Sequence, residues 1–376
     1  MKRVELVFFD AGGGHRSAAN ALQHVIQEKG LPWDVNLMNL QELLDSMDIF
    51  KKVTGVRLQD LYNLMLKKGW TLGSAQLLMG MHGVIRLFHG QTVKMLRRYW
   101  EGSRPDVVVS LIPNFNRALL QSLERARPGV PLVTILTDMA DYPPHFWMER
   151  QKQYLICGTD KAVEQAQAMG HAKERVLRAS GMILNPRFYE LAAVDRVAER
   201  RGFGLEADLP TGLLLFGGQG SAVMEKIVRR LDASTVKMQL IAVCGHNARL
   251  FEKLRGMQTR FPLHTVGFTK EIPRLMQISD FFIGKPGPGS ISEAVHMKLP
   301  VIVVRNVWTL PQERYNADWV EEQGVGLVVK SFDREIAPAV GRLLAPGTFN
   351  EMLARLNKIE NRAVFEIPEM LGRIPG

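Results

Sequence analysis

Short runs of β-branched and other apolar residues recur along this chain, each followed by a turn and then a helix-period stretch. No other feature limits the possible folds as much. Runs at 4–9, 107–111, 132–136, 154–157 and 176–177 form a first series. They are continuous rather than alternating, as strands buried on both faces of a parallel sheet are. The rhythm lapses across 185–210, a charged stretch containing Pro186, Gly202, Gly204 and Pro210. It restarts with runs at 213–216, 238–243, 265–267, 281–283, 301–304 and 325–329. Strand–helix alternation on both sides of a break predicts an α/β protein of two doubly wound domains. The 376 residues suit two domains of roughly 150–200 residues each. The expected boundaries are an N-terminal domain at 1–184, a linker at 185–210, a second domain at 211–348 and a helical segment at 349–376.

Cys157 and Cys244 are the only cysteines, which excludes a disulfide scaffold or a zinc ribbon and suits a reducing compartment. The apolar run after Met1-Lys2-Arg3 is too short for a signal peptide, and Glu5 interrupts it. No segment offers the roughly 20 apolar residues of a spanning helix, so a soluble or peripheral protein is expected. Of the net charge of +10, +8 falls within residues 51–104. An uncharged, largely apolar stretch at 69–85 lies between Lys68 and Arg86. Apolar residues flanked by cations suit contact with an anionic membrane, which makes Lys67, Lys68, Trp70, Arg86, Arg97 and Arg98 candidate docking residues. A core helix pair with basic outer faces is the alternative. A phosphate backbone is a third possible partner, but the segment matches no nucleic-acid-binding motif, so none is expected.

Glycine-rich turns follow three of the expected strands. In the first, Asp10-Ala11-Gly12-Gly13-Gly14-His15-Arg16-Ser17, glycines let the backbone approach a ligand and a helix N-terminus offers free N–H groups. His15 stands where open α/β sheets place their ligands, although a solvated helix-start histidine is an equal reading. The second, Gly217-Gly218-Gln219-Gly220-Ser221, can hold a diphosphate, while Ser221 can also simply cap the next helix. The third, Gly284-Lys285-Pro286-Gly287-Pro288-Gly289-Ser290-Ile291-Ser292-Glu293-Ala294, is the most specific. There Ser290 and Glu293 have the spacing of a capping box, and the residues alone favour that role over a carboxylate that receives ribose hydroxyls. Gln312, Glu313 and Asn316 gather polar groups near a helix start behind Pro311, able to read sugar hydroxyls or to be an ordinary polar helix start. No phosphate-loop lysine motif, zinc-protease helix or nucleophile elbow is present, and the histidines lack metal-ligand spacing. No metal is expected.

Taken in order, the first and third loops, with Cys244-Gly245-His246-Asn247, Gly267-Phe268-Thr269 and Pro311-Gln312-Glu313…Asn316, resemble the monogalactosyldiacylglycerol synthase and diacylglycerol glucosyltransferase family. More distantly they resemble the transferase that adds N-acetylglucosamine to the lipid-linked peptidoglycan precursor. The resemblance implies a GT-B fold of two Rossmann-like domains facing across a cleft. It also implies a peripheral enzyme on the cytoplasmic face of a membrane, in a bacterial-type cytoplasm, moving galactose or glucose from a UDP-hexose to diacylglycerol with inversion. No cofactor beyond that donor is implied. By the resemblance His15 is the catalytic base; Gly218, Gln219, Ser221, Gly289 and Ser290 meet the diphosphate; and Phe268 and Ile272 meet uracil. Glu293 then meets the ribose, and Gln312 and Glu313 the hexose, with Asn316 supporting them. Gly14, Asp138, His145 and Trp147 are acceptor-side candidates.

The chain departs from the family at Ala11, at the loop 217–220 and at Leu310-Pro311, all near the donor sugar and phosphates. These departures leave galactose, glucose and N-acetylglucosamine unresolved, the last on another lipid acceptor; a sugar-nucleotide epimerase and a non-catalytic UDP-sugar sensor stand as separate rival readings.

Overall fold

The structure is a computed structural model that describes residues 1–10, 13–45 and 85–375. Two compact units emerge. One comprises Met1–Pro186, Leu310–Gln312 and Asn361–Gly376, and the other Arg187–Thr309 and Glu313–Glu360.

The first unit holds β1 (Lys2–Phe8), β2 (Trp33–Asn39), β3 (Val107–Ser110), β4 (Leu132–Ile135), β5 (Tyr154–Cys157) and β6 (Val176–Arg178). All pair in parallel, in the order β2-β1-β3-β4-β5-β6. The chain order therefore reverses between β1 and β3, the place where a doubly wound sheet opens a crevice for ligands. β3 (Val-Val-Val-Ser) and β4 (Leu-Val-Thr-Ile) are buried along their whole length, which explains why neither alternates with charged residues. Gly13, at φ 81°, starts the helix Gly14–Glu28, which buries Ala18, Ala19, Leu22, Val25 and Ile26 on the sheet side.

In the second unit β7 (Thr211–Leu215), β8 (Gln239–Val243), β9 (Leu263–Val266), β10 (Phe281–Gly284), β11 (Val301–Val304) and β12 (Gly326–Val329) form another parallel sheet. Its order is β12-β11-β10-β7-β8-β9, reversing between β7 and β10. Phe281, Ile283, Leu214, Leu240 and Ile302 anchor its core.

Every run expected as a strand is one, with ends shifted by a residue or two. β2 was not expected. It is an edge strand, and Trp33, Val35 and Leu37 alternate with Asp34 and Asn36 instead of forming a continuous apolar run.

Of residues 185–210, expected as a linker, all from Arg187 onward group with the second unit. Asp195 caps the helix Arg196–Gly202 by accepting from the Val197 and Ala198 N–H groups. The buried guanidinium of Arg200 donates to Ile278 O at 2.8 Å and to Asp280 Oδ2 at 2.7 Å. The charges that read as a linker are therefore its fastening.

The expected segment 349–376 is two helices. Pro346–Leu356 stays with the second unit, while Ala363–Arg373 belongs to the first and packs against Gly14–Glu28. Lys2 Nζ donates to Leu371 O at 2.9 Å there.

Candidate functional site

In the first unit, His15 stands at the start of the helix after β1, beside the reversal point. Thr137, just after β4, places Oγ1 at 3.2 Å from His15 Nδ1. Burial pushes the imidazole pKa down to about 4, against an opposing hydrogen bond to the Leu111 backbone just after β3. His15 is thus neutral across the physiological range and held by residues at the carboxyl ends of neighbouring strands. Gly14 is exposed, and a Cβ there would meet nothing within 4 Å. The neighbouring Arg16 pairs with Asp10 at 2.8 Å.

The 138–147 segment is organised around two carboxylates. Asp141, 2% exposed, accepts from the Trp147 N–H at 2.6 Å and the His145 N–H at 3.0 Å. Asp138 Oδ2 accepts from Trp147 Nε1 at 2.9 Å. Trp147 is fully buried and its ring centroid lies 5.9 Å from that of His15. An indole with no exposed surface cannot reach out to an acceptor as the sequence suggested. It packs beside His15 and positions Asp138. His145 is exposed, with its backbone in the left-handed region at φ 65°. His145 also lines a cavity of about 800 Å³ with Arg86, His89, Arg117 and Arg150.

In the second unit, the loops after β7 and β8 are zipped together. The His246 N–H donates to Gly218 O at 2.8 Å. Gly245, at φ 59°, permits that contact, because a Cβ there would lie 2.2 Å from the same carbonyl. Gly218 and Gln219 are exposed on this turn. Ser221 Oγ accepts from the Val223 N–H at 3.3 Å, but the cap of the helix Val223–Asp232 is Ala222, so Ser221 stands one residue ahead of the capping position the sequence offered it. Phe268 is 57% exposed and stacks on His246, with centroids 4.0 Å apart and planes at 18°. Ile272 opens the helix Ile272–Gln277 and is partly buried.

The third loop corrects one reading. The helix Pro288–His296 has Gly287 at its N-cap, which places Ser290 inside the first turn and Glu293 a turn further on. The capping box therefore does not form, since Ser290 is not the cap. The Glu293 carboxylate has no hydrogen-bond or ionic partner among the described residues, and burial pushes its pKa up to about 7. Gly289 is exposed, and no acidic residue occupies the helix's first turn.

Beyond β11, the 3-10 turn Pro311–Glu313 leads into the helix Arg314–Gln323. Asn316 is fully buried and its Nδ2 donates to Pro286 O at 2.8 Å, tying this helix to the third loop. Glu313 Oε1 lies 2.8 Å from Lys285 Nζ. Gln312 is buried, and its Oε1 has no partner among the described residues. Gln312 groups with the first unit and Glu313 with the second. Sequence reading missed Thr137, His246 and Lys285 as members of these clusters. Lys285, a cation inside the most specific loop, was the detectable signal.

Of the docking candidates, Lys67, Lys68 and Trp70 lie outside the described residues, as does nearly all of the uncharged stretch. Arg86 and Arg98 are exposed, and Arg97 pairs with Glu101 at 2.8 Å. The helix His89–Ser103 turns Val93, Leu96 and Trp100 into the core, so its basic residues form an outer face.

Residues 213–362 match the family model described as the glycosyltransferase family 28 C-terminal domain. A protein of Oryza sativa subsp. japonica, named probable monogalactosyldiacylglycerol synthase 2, chloroplastic, is 28% identical over 97% of this chain and 79% of its own length. MurG of Acinetobacter baumannii matches with a TM-score of 0.66 at 13% identity, covering all of both chains. The UDP-GlcNAc 2-epimerase of Neisseria meningitidis, bound to UDP-GlcNAc, gives a TM-score of 0.60 at 15% identity, covering 99% of this chain and 100% of its own. These two likenesses concern the fold alone, and with the two parallel sheets they bear out the GT-B class.

Proposed function

We propose, from the premise that residues 213–362 are a glycosyltransferase family 28 C-terminal domain, that this glycosyltransferase moves galactose or glucose from a UDP-hexose to a diacylglycerol-type lipid. The observation that carries the chemistry is His15, neutral and fixed by Thr137 at the reversal point of the first sheet. An alcohol is a weak nucleophile, and a neutral imidazole within hydrogen-bond reach can take its proton as it attacks. The likeness to a monogalactosyldiacylglycerol synthase along 97% of the chain supports the choice of acceptor and hexose.

The acceptor oxygen attacks the anomeric carbon from the face opposite the diphosphate. The new C–O bond forms as the bond to the β-phosphate oxygen breaks, which inverts that carbon. The proton passes to His15, and UDP departs with an added negative charge. In the second unit, the N–H groups at 217–221 and at the start of Pro288–His296 stabilise that charge. Glu293 receives ribose hydroxyls, Phe268 stacks on uracil, and Gln312 and Glu313 meet the hexose. The reading requires no cofactor besides the donor. A lipid acceptor brings the enzyme to a membrane surface, where exposed Arg86 and Arg98 face anionic headgroups.

The test is transfer of labelled galactose and glucose from their UDP forms to diacylglycerol vesicles, resolved as glycolipid by chromatography. Glycolipid from one of the two donors is expected. If neither donor yields it, the reading falls. UDP-GlcNAc epimerised without lipid would establish the rival enzyme class instead. Near-wild-type transfer by His15→Ala would remove His15 from the mechanism.

A further inference from the structure

The second sheet reverses between β7 and β10, and the loops that leave these neighbouring strands carry Gly217 and Lys285. Lys285 is laid across that reversal point. A Cβ built on Gly217 would stand 3.8 Å from Lys285 Cε, and one on Gly287 would stand 3.4 Å from the same carbon. The lysine stem thus runs past two glycines, one in each loop. Its ammonium ends 2.8 Å from Glu313 Oε1. The Lys285 side chain is 38% exposed and that of Glu313 only 12%. Buried Asn316, bonded to Pro286 O, ties the helix after Glu313 to the residue after Lys285, so both ends of the ion pair are fixed.

We propose that Lys285 is the cation that neutralises the donor's diphosphate, its ammonium bridging the Glu313 carboxylate and a β-phosphate oxygen. This rests on the UDP-hexose reading above. An ammonium carries three N–H donors, so a bond to Glu313 does not exhaust it. Glu313 acts as its positioning residue through Oε1, while Oε2 meets a hexose hydroxyl. One ion pair then links the sugar and phosphate ends of the donor. As the bond to the anomeric carbon breaks, the diphosphate gains negative charge beside a cation already in place.

The experiment compares UDP with uridine, which lacks the diphosphate, by titration calorimetry on the full chain. Lys285→Met is expected to weaken UDP about tenfold or more and leave uridine unchanged, as loss of a charge-assisted hydrogen bond should. Glu313→Gln is expected to weaken UDP in the same direction by less. An unchanged ratio of UDP to uridine affinity in Lys285→Met overturns the inference but leaves the donor reading standing. A wild-type chain that binds neither ligand overturns the donor reading and this inference with it. Should Lys285→Met fail to fold, the wild-type protein still decides. UDP, and not uridine, is expected to protect Lys285 from reductive methylation mapped by mass spectrometry, and equal labelling with both ligands overturns the assignment.

Discussion

Thr137 Oγ1 lies 3.2 Å from His15 Nδ1, so a side chain just after β4 fixes the ring of a residue after β1. That contact engages Nδ1 and leaves Nε2 as the nitrogen for the base role proposed above. Thr137→Val keeps the shape and removes the hydroxyl. Its kcat is expected to fall about tenfold with donor KM unchanged, the signature of a misoriented base. Steady-state kinetics at saturating lipid checks it, and an unaltered kcat would show that Thr137 does not orient the ring.

The pH dependence of the rate follows from burial of His15. A base works when deprotonated, so activity is lost as pH falls through its pKa. With that pKa pushed down to about 4, kcat/KM should stay level from about pH 7 to pH 5. A histidine at its ordinary value would instead give an acid limb near pH 6.5. A limb at that higher pH, abolished in His15→Asn, would mean that the imidazole is more exposed during catalysis than in this structure.

Glu293 makes the opposite prediction for stability. Its folded-state pKa, about 7, lies above its ordinary 4.5. The folded protein therefore holds this proton more tightly than the unfolded chain. That contribution is complete below about pH 4.5 and is lost as pH rises through 7. Glu293→Gln should flatten the fall in chemical-denaturation stability across this window. An identical slope in wild type and variant would show that Glu293 holds its proton no more tightly in the folded protein than in the unfolded chain.

The zipped loops of the second unit set a glycine held by close backbone contact beside one that faces open space. Gly245 has φ 59°, and a Cβ there would stand 2.2 Å from Gly218 O, whereas a Cβ on Gly218 would meet nothing within 4 Å. Gly245→Ala is expected to cost about 1–3 kcal/mol and to weaken UDP binding. Gly218→Ala is expected to leave stability within about 0.5 kcal/mol yet to weaken UDP binding, because the added methyl stands where the diphosphate would lie. Thermal melts with calorimetry distinguish the two, and Gly218→Ala binding UDP normally would remove Gly218 from the donor site.

Legibility in the sequence followed the kind of signal each element carries. Buried central strands such as β3 and β4 announce themselves by composition, because both faces must be apolar. β2 escaped because an edge strand needs only one apolar face. The 185–210 stretch looked like a linker because Arg200 and Asp280 are distant in sequence, and only the fold shows that they meet. The Ser290–Glu293 spacing matched a capping box, but Pro288 starts the helix three residues earlier than a Ser290 cap would, with Gly287 as the cap. Motif spacing found the loops. It could not find Thr137 or the Lys285–Glu313 pair, whose partners come together only through strand order.

The basic helix gives a prediction about membrane contact. Val93, Leu96 and Trp100 are spent on the core, so whatever His89–Ser103 adds to docking is electrostatic rather than insertion of its apolar face. Each cation near an anionic surface is worth about 1 kcal/mol, and the attraction fades beyond a Debye length. Reversing the charge of exposed Arg86 and Arg98 together should weaken binding to vesicles rich in anionic lipid by at least about tenfold at low salt. Neutral vesicles should show little difference between wild type and variant. Binding should also fall as ionic strength rises. Sedimentation of vesicles of both compositions measures all of this. Wild-type binding that ignores anionic lipid content and survives both reversals would remove these arginines from any docking role.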